Sequence, residues 1–322
     1  YRDRTIAVII PAYNEEELIG KVLESMPGFV DHIVVVDDAS CDRTGEVVKA
    51  QQVEEERITY IQHTKNRGVG GAIVTGYRWA RDNGIDISAV MAGDAQMDPK
   101  DLPKLLDPVV EGRTDYSKGN RLFTGKAWRV IPKIRYLGNA ALSFLTKIAS
   151  GYWHVADSQS GYGAVALEVL RTIDLDSIYR RYGMPNDFLV RLNVHHFRVE
   201  DVPVNPIYGI GERSGIKLYR IVFTLPALLL FTLPALLLEL FLWRLKEKYI
   251  VRDFHPFVLF YLMGFVLTPI GVISGCYLPI LRILIGFVAA TSALFAAFFA
   301  ISGLQSLFFA MWFDMEYNKD LR

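Results

Sequence analysis

From residue 221 onward the chain is made of different material from what precedes it, and that break limits the folds open to it. Residues 221–243, 256–276 and 283–313 are three apolar blocks, each long enough to cross about 30 Å of hydrocarbon. Residues 1–215 read instead as an ordinary water-soluble domain. The expected organisation is a soluble domain over 1–215, a juxtamembrane segment over 216–254 and a membrane anchor over 255–322. The first apolar block is a poor continuous span, because it contains Pro226, Pro234 and Glu239. Three spans would also carry the basic stretch RLKEKYIVRDFH to the outer face, against the positive-inside tendency. The block at 221–243 is therefore expected to lie along the cytoplasmic interface or to dip in and out of the membrane. HPFVLFYLMGFVLTPIGVISG would cross outward and the block from about residue 283 would return. That places Cys276 at the outer end of a hairpin and DMEYNKDLR on the cytoplasmic side.

Charge and cysteine use narrow the class. Basic and acidic residues balance at 35 each, which gives no electrostatic case for a nucleic-acid partner. Cys41 and Cys276 fall in dissimilar regions, so no disulfide framework is expected. No charged-then-apolar leader opens the sequence, and the soluble domain is expected to be cytoplasmic.

Within the first 215 residues, short apolar runs alternate with helical periodicity. TIAVIIP (5–11), HIVVVDD (32–38), ITYIQ (58–62) and ISAVMAG (87–93) read as strands, the first two buried on both faces. EEELIGKVLESM repeats Leu18, Val22 and Met26 at helical spacing, with acids expected in its first turn. Asp42 is placed to cap the helix RTGEVVKA, and a further helix is expected from about Asp101. This alternation predicts a doubly wound α/β domain with a mostly parallel sheet, in which ligands bind beyond the carboxyl ends of the strands. Three polar clusters fall at those ends: PAYNEEE, DDASCD and GDAQMD. RGVGGA follows the third strand rather than the first, so it reads as close helix packing and not as a dinucleotide fingerprint. His195 and His196 have no partner at metal-binding spacing, and the verbatim repeat FTLPALLL at 223–238 suggests no solenoid.

VIIPAYNEEELI, IVVVDDASCDRT, NRGVGGAIVTGY, GDAQMDP, GNRL and SQSGYGA occur in that order. Together they resemble the family-two inverting glycosyltransferases, in the branch that moves a sugar from a nucleotide onto dolichyl or another polyprenyl phosphate. The resemblance covers roughly residues 5–220 and implies a nucleotide-sugar-binding fold of the GT-A type. It further implies that Pro11, Ala12, Tyr13, Glu15, Asp37, Asp38, Lys65 and Ala72 hold the nucleotide, with Arg213 and Lys217 closing over the donor phosphates. Asp94 and Gln96 would face a Mg²⁺ or Mn²⁺ ion and the diphosphate, while Arg121 and Ser160 would approach the acceptor phosphate. Asp187 lies near where related enzymes carry a catalytic acid; its alternative is to cap the helix that follows.

One departure stands out. The family pattern is Asp-x-Asp-x-Gln, and Ala92 occupies the place of the first acid. One carboxylate, an amide and the donor's own phosphates can still complete the shell of a hard cation that keeps several waters. The expected activity is transfer of a hexose, from a UDP-sugar before GDP-mannose, to polyprenyl phosphate with inversion. The acceptor, a phosphate monoester, is mostly a dianion at neutral pH and needs no strong general base. Two other readings stay open: a processive polysaccharide synthase, although no Gln-x-x-Arg-Trp motif is present, and an inert nucleotide-sugar-binding scaffold, favoured only by Ala92. A membrane hairpin is also compatible with homo-oligomers.

Overall fold

The computed structural model describes residues 1–122, 133–205, 207 and 232–322, with side chains after Lys133 described from residue 140. Two compact units emerge, Tyr1–Leu242 with the last two residues, and Trp243–Asp320.

The first unit is built on seven strands: β1 Ile6–Ala12, β2 His32–Asp37, β3 Ile58–Gln62, β4 Ile87–Val90, β5 Tyr116–Asn120, β6 Gly163–Ala166 and β7 Val199–Pro203. Their order is β3-β2-β1-β4-β6-β5-β7, and every neighbouring pair is parallel except those made by β6. This is the mostly parallel α/β sheet expected. β1 is buried along its whole length. Ala7 and Ile9 point into one core and Ile6, Val8 and Ile10 into the other, as period-two alternation demands of a strand covered on both faces.

Helices α1 Ile19–Glu24, α2 Thr44–Glu54, α3 Val69–Asp82 and α4 Leu102–Val110 follow successive strands. Next come α5 Lys133–Ser150, α6 Leu167–Thr172, α7 Met184–Val194 and α8 Leu233–Arg244. Two boundaries differ from expectation. α1 starts only at Ile19, and the segment before it is tied to the next loop, the main-chain N–H groups of Glu15 and Glu16 donating to Thr44 Oγ1 at 2.8 Å and to Asp42 at 3.2 Å. The acids therefore form a turn ahead of the helix. β4 ends at Val90, and residues 91–93 leave the strand while still bonding β1 through Met91 N to Ile9 O and Gly93 N to Pro11 O. The N-cap of α2 is Arg43 rather than Asp42, which sits one residue earlier and accepts from Thr44 N at 3.0 Å and from its hydroxyl at 2.6 Å.

The glycines of α3 are packing devices, as the sequence suggests. A Cβ on Gly70 would lie 2.7 Å from both Met184 Cβ and the Tyr179 carbonyl, and one on Gly76 would collide with Ile9. The helix can approach β1 and the 179–184 segment only without those side chains.

In the second unit, a π-helical segment, Leu245–Arg252, leads into α9 Val258–Ile285 and α10 Ala290–Tyr317. Each of these two helices is long and apolar enough to cross a membrane. They pack through small residues: Gly264 against Leu307, Gly271 against the Ala300 backbone and Gly303 against Thr268. Their outer surfaces leave large apolar side chains exposed, among them Ile283, Phe298 and Phe308. At the base, Arg244 and Asp314 are fully buried and pair through two contacts of 3.0 and 2.9 Å. Tyr249 donates to the same carboxylate, and Lys248 donates to Asn318 at 2.7 Å.

The hairpin departs from the sequence reading in one respect. α9 does not stop near residue 276 but runs through Pro279 to Ile285, and the chain turns at Gly286 with φ of 78°. Cys276 therefore sits roughly two and a half turns before the tip. Residues 221–231 of the block at 221–243, with the first FTLPALLL copy and the first residue of the second, lie outside the described residues, as do Arg213 and Lys217, while the rest of the block enters α8.

Candidate active site

Four polar loops gather at the carboxyl edge of the sheet. The first follows β1, where Asn14 adopts φ of 57°. Asn14 accepts from Cys41 N at 2.8 Å and its own N–H donates to the Ser40 hydroxyl at 3.0 Å, tying this loop to the one after β2. Pro11 and Ala12 end β1 in register with Val36 and Asp37, and Tyr13 is exposed beyond them.

Asp37 and Asp38 are buried and already engaged. Asp37 accepts from Ser40 N at 2.8 Å and Tyr60 OH at 2.7 Å. Asp38 accepts from Arg67 N at 2.8 Å and Gly68 N at 2.7 Å and pairs with His63 Nδ1 at 2.7 Å. They organise the loops around the expected nucleotide site. Lys65 is exposed in the loop after β3, whereas Ala72, on the inner face of α3, is enclosed in the core and not open to a nucleotide.

The GDAQMD loop is held against β1 by close contact. A Cβ on Gly93 would meet Pro11 O and Ile19 Cδ1 at 3.3 Å each, and Ala95 takes the left-handed region at φ of 57°. Inside that turn Gln96 N donates to Asp94 Oδ1 at 3.1 Å. Asp98 instead caps the next turn through Lys100 N at 3.0 Å. The loop also brings Asp94 close enough to Glu15 for their charges to interact. Burial first, then Asp94 and Asp42, push the Glu15 carboxyl up to about 7.

β6 supplies the facing side. Because it runs antiparallel, with Gly163 opposite both Val90 and Lys118, the loop that enters it lies at the carboxyl ends of β4 and β5. Asp94, Gln96, Arg121, Ser160, Tyr162 and Asn205 consequently line one cleft. The sequence-predicted metal-facing pair and acceptor-facing pair thus share a single cavity. Asp187 is not among its lining side chains, nor does it cap α7, whose N-cap is Gly183. Its buried carboxyl accepts from Tyr179 N at 2.6 Å and Arg191 Nε at 2.8 Å, and burial raises its pKa.

Behind the cleft lies a cluster of buried ions that sequence reasoning missed. Asp157 accepts from Arg121 Nε at 2.8 Å, Arg121 Nη2 at 3.1 Å and the Arg121 main-chain N–H at 3.1 Å. Lys118, wholly buried in β5, donates its ammonium to the Ser160 carbonyl. Burial lowers its pKa to about 8, partly opposed by Asp157 and Asp201. Asp201 in turn accepts from Asn120 at 2.7 Å and Ala156 N at 2.9 Å. Only the aspartate of DSQSG in front of the quoted motif hinted at this arrangement.

The family model described as glycosyl transferase family 2 matches residues 7–173. The chain belongs to glycosyl transferase family 2. Within this family it is 32% identical over 237 residues to a UDP-N-acetylglucosamine–dolichyl-phosphate N-acetylglucosaminyltransferase from Methanococcus voltae, covering 67% of this chain and 94% of the relative. An undecaprenyl-phosphate mannosyltransferase from Micrococcus luteus is 33% identical, with 65% and 88% covered. The family fold is matched by the crystal structure of glucosyl-3-phosphoglycerate synthase from Mycobacterium tuberculosis in complex with Mn²⁺ and UDP-glucose. That likeness has a TM-score of 0.53 at 20% identity and covers 75% of this chain and 79% of that one.

Proposed function

We propose that this glycosyltransferase moves a hexose from a nucleotide diphosphate sugar, a UDP-sugar in preference to GDP-mannose, onto polyprenyl phosphate with inversion. The observation that carries the reading is the single cleft holding Asp94 and Gln96 opposite Arg121 and Ser160. The relatives named for dolichyl and undecaprenyl phosphate support the acceptor class, and the name of the Methanococcus relative supports a UDP donor. Orientation follows from the substrate: nucleotide sugars are expected on the cytoplasmic side, with α9 and α10 as the membrane hairpin.

Asp94 and Gln96 present oxygen donors that suit a hard divalent cation whose shell waters and the donor's own phosphates would complete, since the described residues gather no cluster of three acids, histidines or cysteines. Bound there, Mg²⁺ or Mn²⁺ would neutralise the departing diphosphate. Arg121 binds and orients the acceptor phosphate, its guanidinium suited to two-point contact with phosphate oxygens. An oxygen of that dianion forms the new bond to the anomeric carbon from the face opposite the leaving group. The bond to the nucleoside diphosphate breaks, and no proton need move. Pro11, Ala12, Tyr13 and the loops pinned by Asp37 and Asp38 frame the nucleoside; Lys65, Arg213 and Lys217 add positive charge toward its phosphates.

The test is a panel of nucleotide sugars offered with a short polyprenyl phosphate, with Mg²⁺, with Mn²⁺ and with a chelator. A lipid-linked hexose formed from a UDP-sugar and lost with the chelator is the expected result. Exclusive use of GDP-mannose reassigns the donor. If no donor reacts while Ala92→Asp protein is active, the inert scaffold is the correct reading.

A further inference from the structure

We infer that Asp157 and Lys118 are positioning residues that hold the acceptor-phosphate site in shape, Asp157 through Arg121 and Lys118 through Ser160; this rests on the acceptor role proposed above for those two cleft residues. Asp157 is fully buried and cannot itself reach the cleft, whereas the Arg121 side chain keeps 23% of its surface exposed there. The carboxylate grips both the guanidinium and the main-chain N–H of Arg121. A long side chain with several rotatable bonds is thereby reduced to one geometry before the substrate arrives. Preorganisation of this kind is what fixed catalytic contacts require. Lys118 does the same from beneath. Its ammonium fixes the Ser160 carbonyl and so the loop entering β6.

The composition of the cluster argues against a role in stability alone. Two cations, Lys118 and Arg121, meet two buried carboxylates, Asp157 and Asp201, across β5, β7 and the loop between α5 and β6. Buried ion pairs rarely outperform apolar packing as stabilisers, because desolvation offsets their attraction. Their better-attested use is to impose one arrangement. Here that arrangement sits directly behind the cleft.

The experiment compares full-length wild type, Asp157→Asn, Lys118→Met, Arg121→Ala and the Asp157→Asn/Arg121→Ala double variant. Farnesyl phosphate binding by calorimetry is read together with KM for donor and acceptor and with thermal midpoints. Asp157→Asn and Lys118→Met should each weaken farnesyl phosphate binding about tenfold or more, the usual scale for a lost charge-assisted contact, while donor KM moves less than about twofold. In the Arg121→Ala background Asp157→Asn should add nothing, since its effect passes through Arg121. Lys118→Met, which exchanges a buried ammonium for an apolar chain of similar length, keeps the question answerable if Asp157→Asn does not fold. Unchanged farnesyl phosphate binding, equal losses for donor and acceptor, or additive losses in the double variant would each overturn the inference. Wild-type protein that binds farnesyl phosphate but transfers no sugar refutes the proposed reaction and leaves the positioning role standing.

Discussion

At the scale of single residues, the site is governed by where carboxylates are allowed to be charged. Glu15 titrates near 7 in the fold against an ordinary value of 4.5. Between those values the folded chain retains a proton that the unfolded chain has lost, so stability falls as pH rises through that window. Urea midpoints measured with a chelator present should decline from pH 5 to pH 7.5, and Glu15→Gln should flatten that decline. Asp94→Asn should leave the thermal midpoint unchanged and lower kcat by about 100-fold or more, as loss of a charge-stabilising group does. Retention of a tenth of the wild-type rate would remove Asp94 from the machinery. The residues around the cleft divide sharply in legibility. Asp94, Gln96, Arg121 and Ser160 could be read because motifs mark them. Lys118 could not, since a lysine between Ser117 and Gly119 looks like a solvent-facing position. Its neighbours Asp157 and Asp201 lie far along the chain.

At the scale of elements, close approach is the recurring device. Gly70→Ala places a methyl group 2.7 Å from Met184 Cβ and the Tyr179 carbonyl, where neither backbone nor helix can yield easily. Such overpacking costs about 1–3 kcal/mol, and the denaturation midpoint should fall accordingly. Gly28→Ala, with nothing within 4 Å of the added carbon, is the matched control and should stay within about 0.5 kcal/mol of wild type. The first four strands were legible because IAVIIPA and HIVVVD carry continuous branched runs. β5 and β6, written YSKGN and GAVA, carry no such signal; they become strands because the sheet around them needs those positions filled. α1 likewise begins later than its run of acids suggests. Acids favour a helix N-terminus in general, but here Glu15 and Glu16 sit in a turn that Thr44 and Asp42 tie to the next loop.

At the scale of the whole molecule, the topology of the anchor can be tested at the tip of the hairpin. Cys276 lies within α9 and would be shielded by lipid, so a better probe uses Cys41→Ser/Cys276→Ser protein carrying either Val288→Cys or Lys319→Cys. A membrane-impermeant maleimide should label position 288 in intact cells and position 319 only after lysis. The opposite pattern would invert the orientation. α9 and α10 each contain 28 residues, about 42 Å of helix, against about 30 Å of hydrocarbon in a typical bilayer. The excess must be taken up by tilt, by local thickening or by ends that emerge among the headgroups. Asp314 lies in the last turn of α10, so the depth at which its pair with Arg244 settles depends on how that mismatch is resolved. Bilayer thickness thereby becomes a variable to which the fold responds: in a thin membrane the buried pair lies at headgroup depth, and in a thick one it is drawn to hydrocarbon depth, where separating the two charges costs far more.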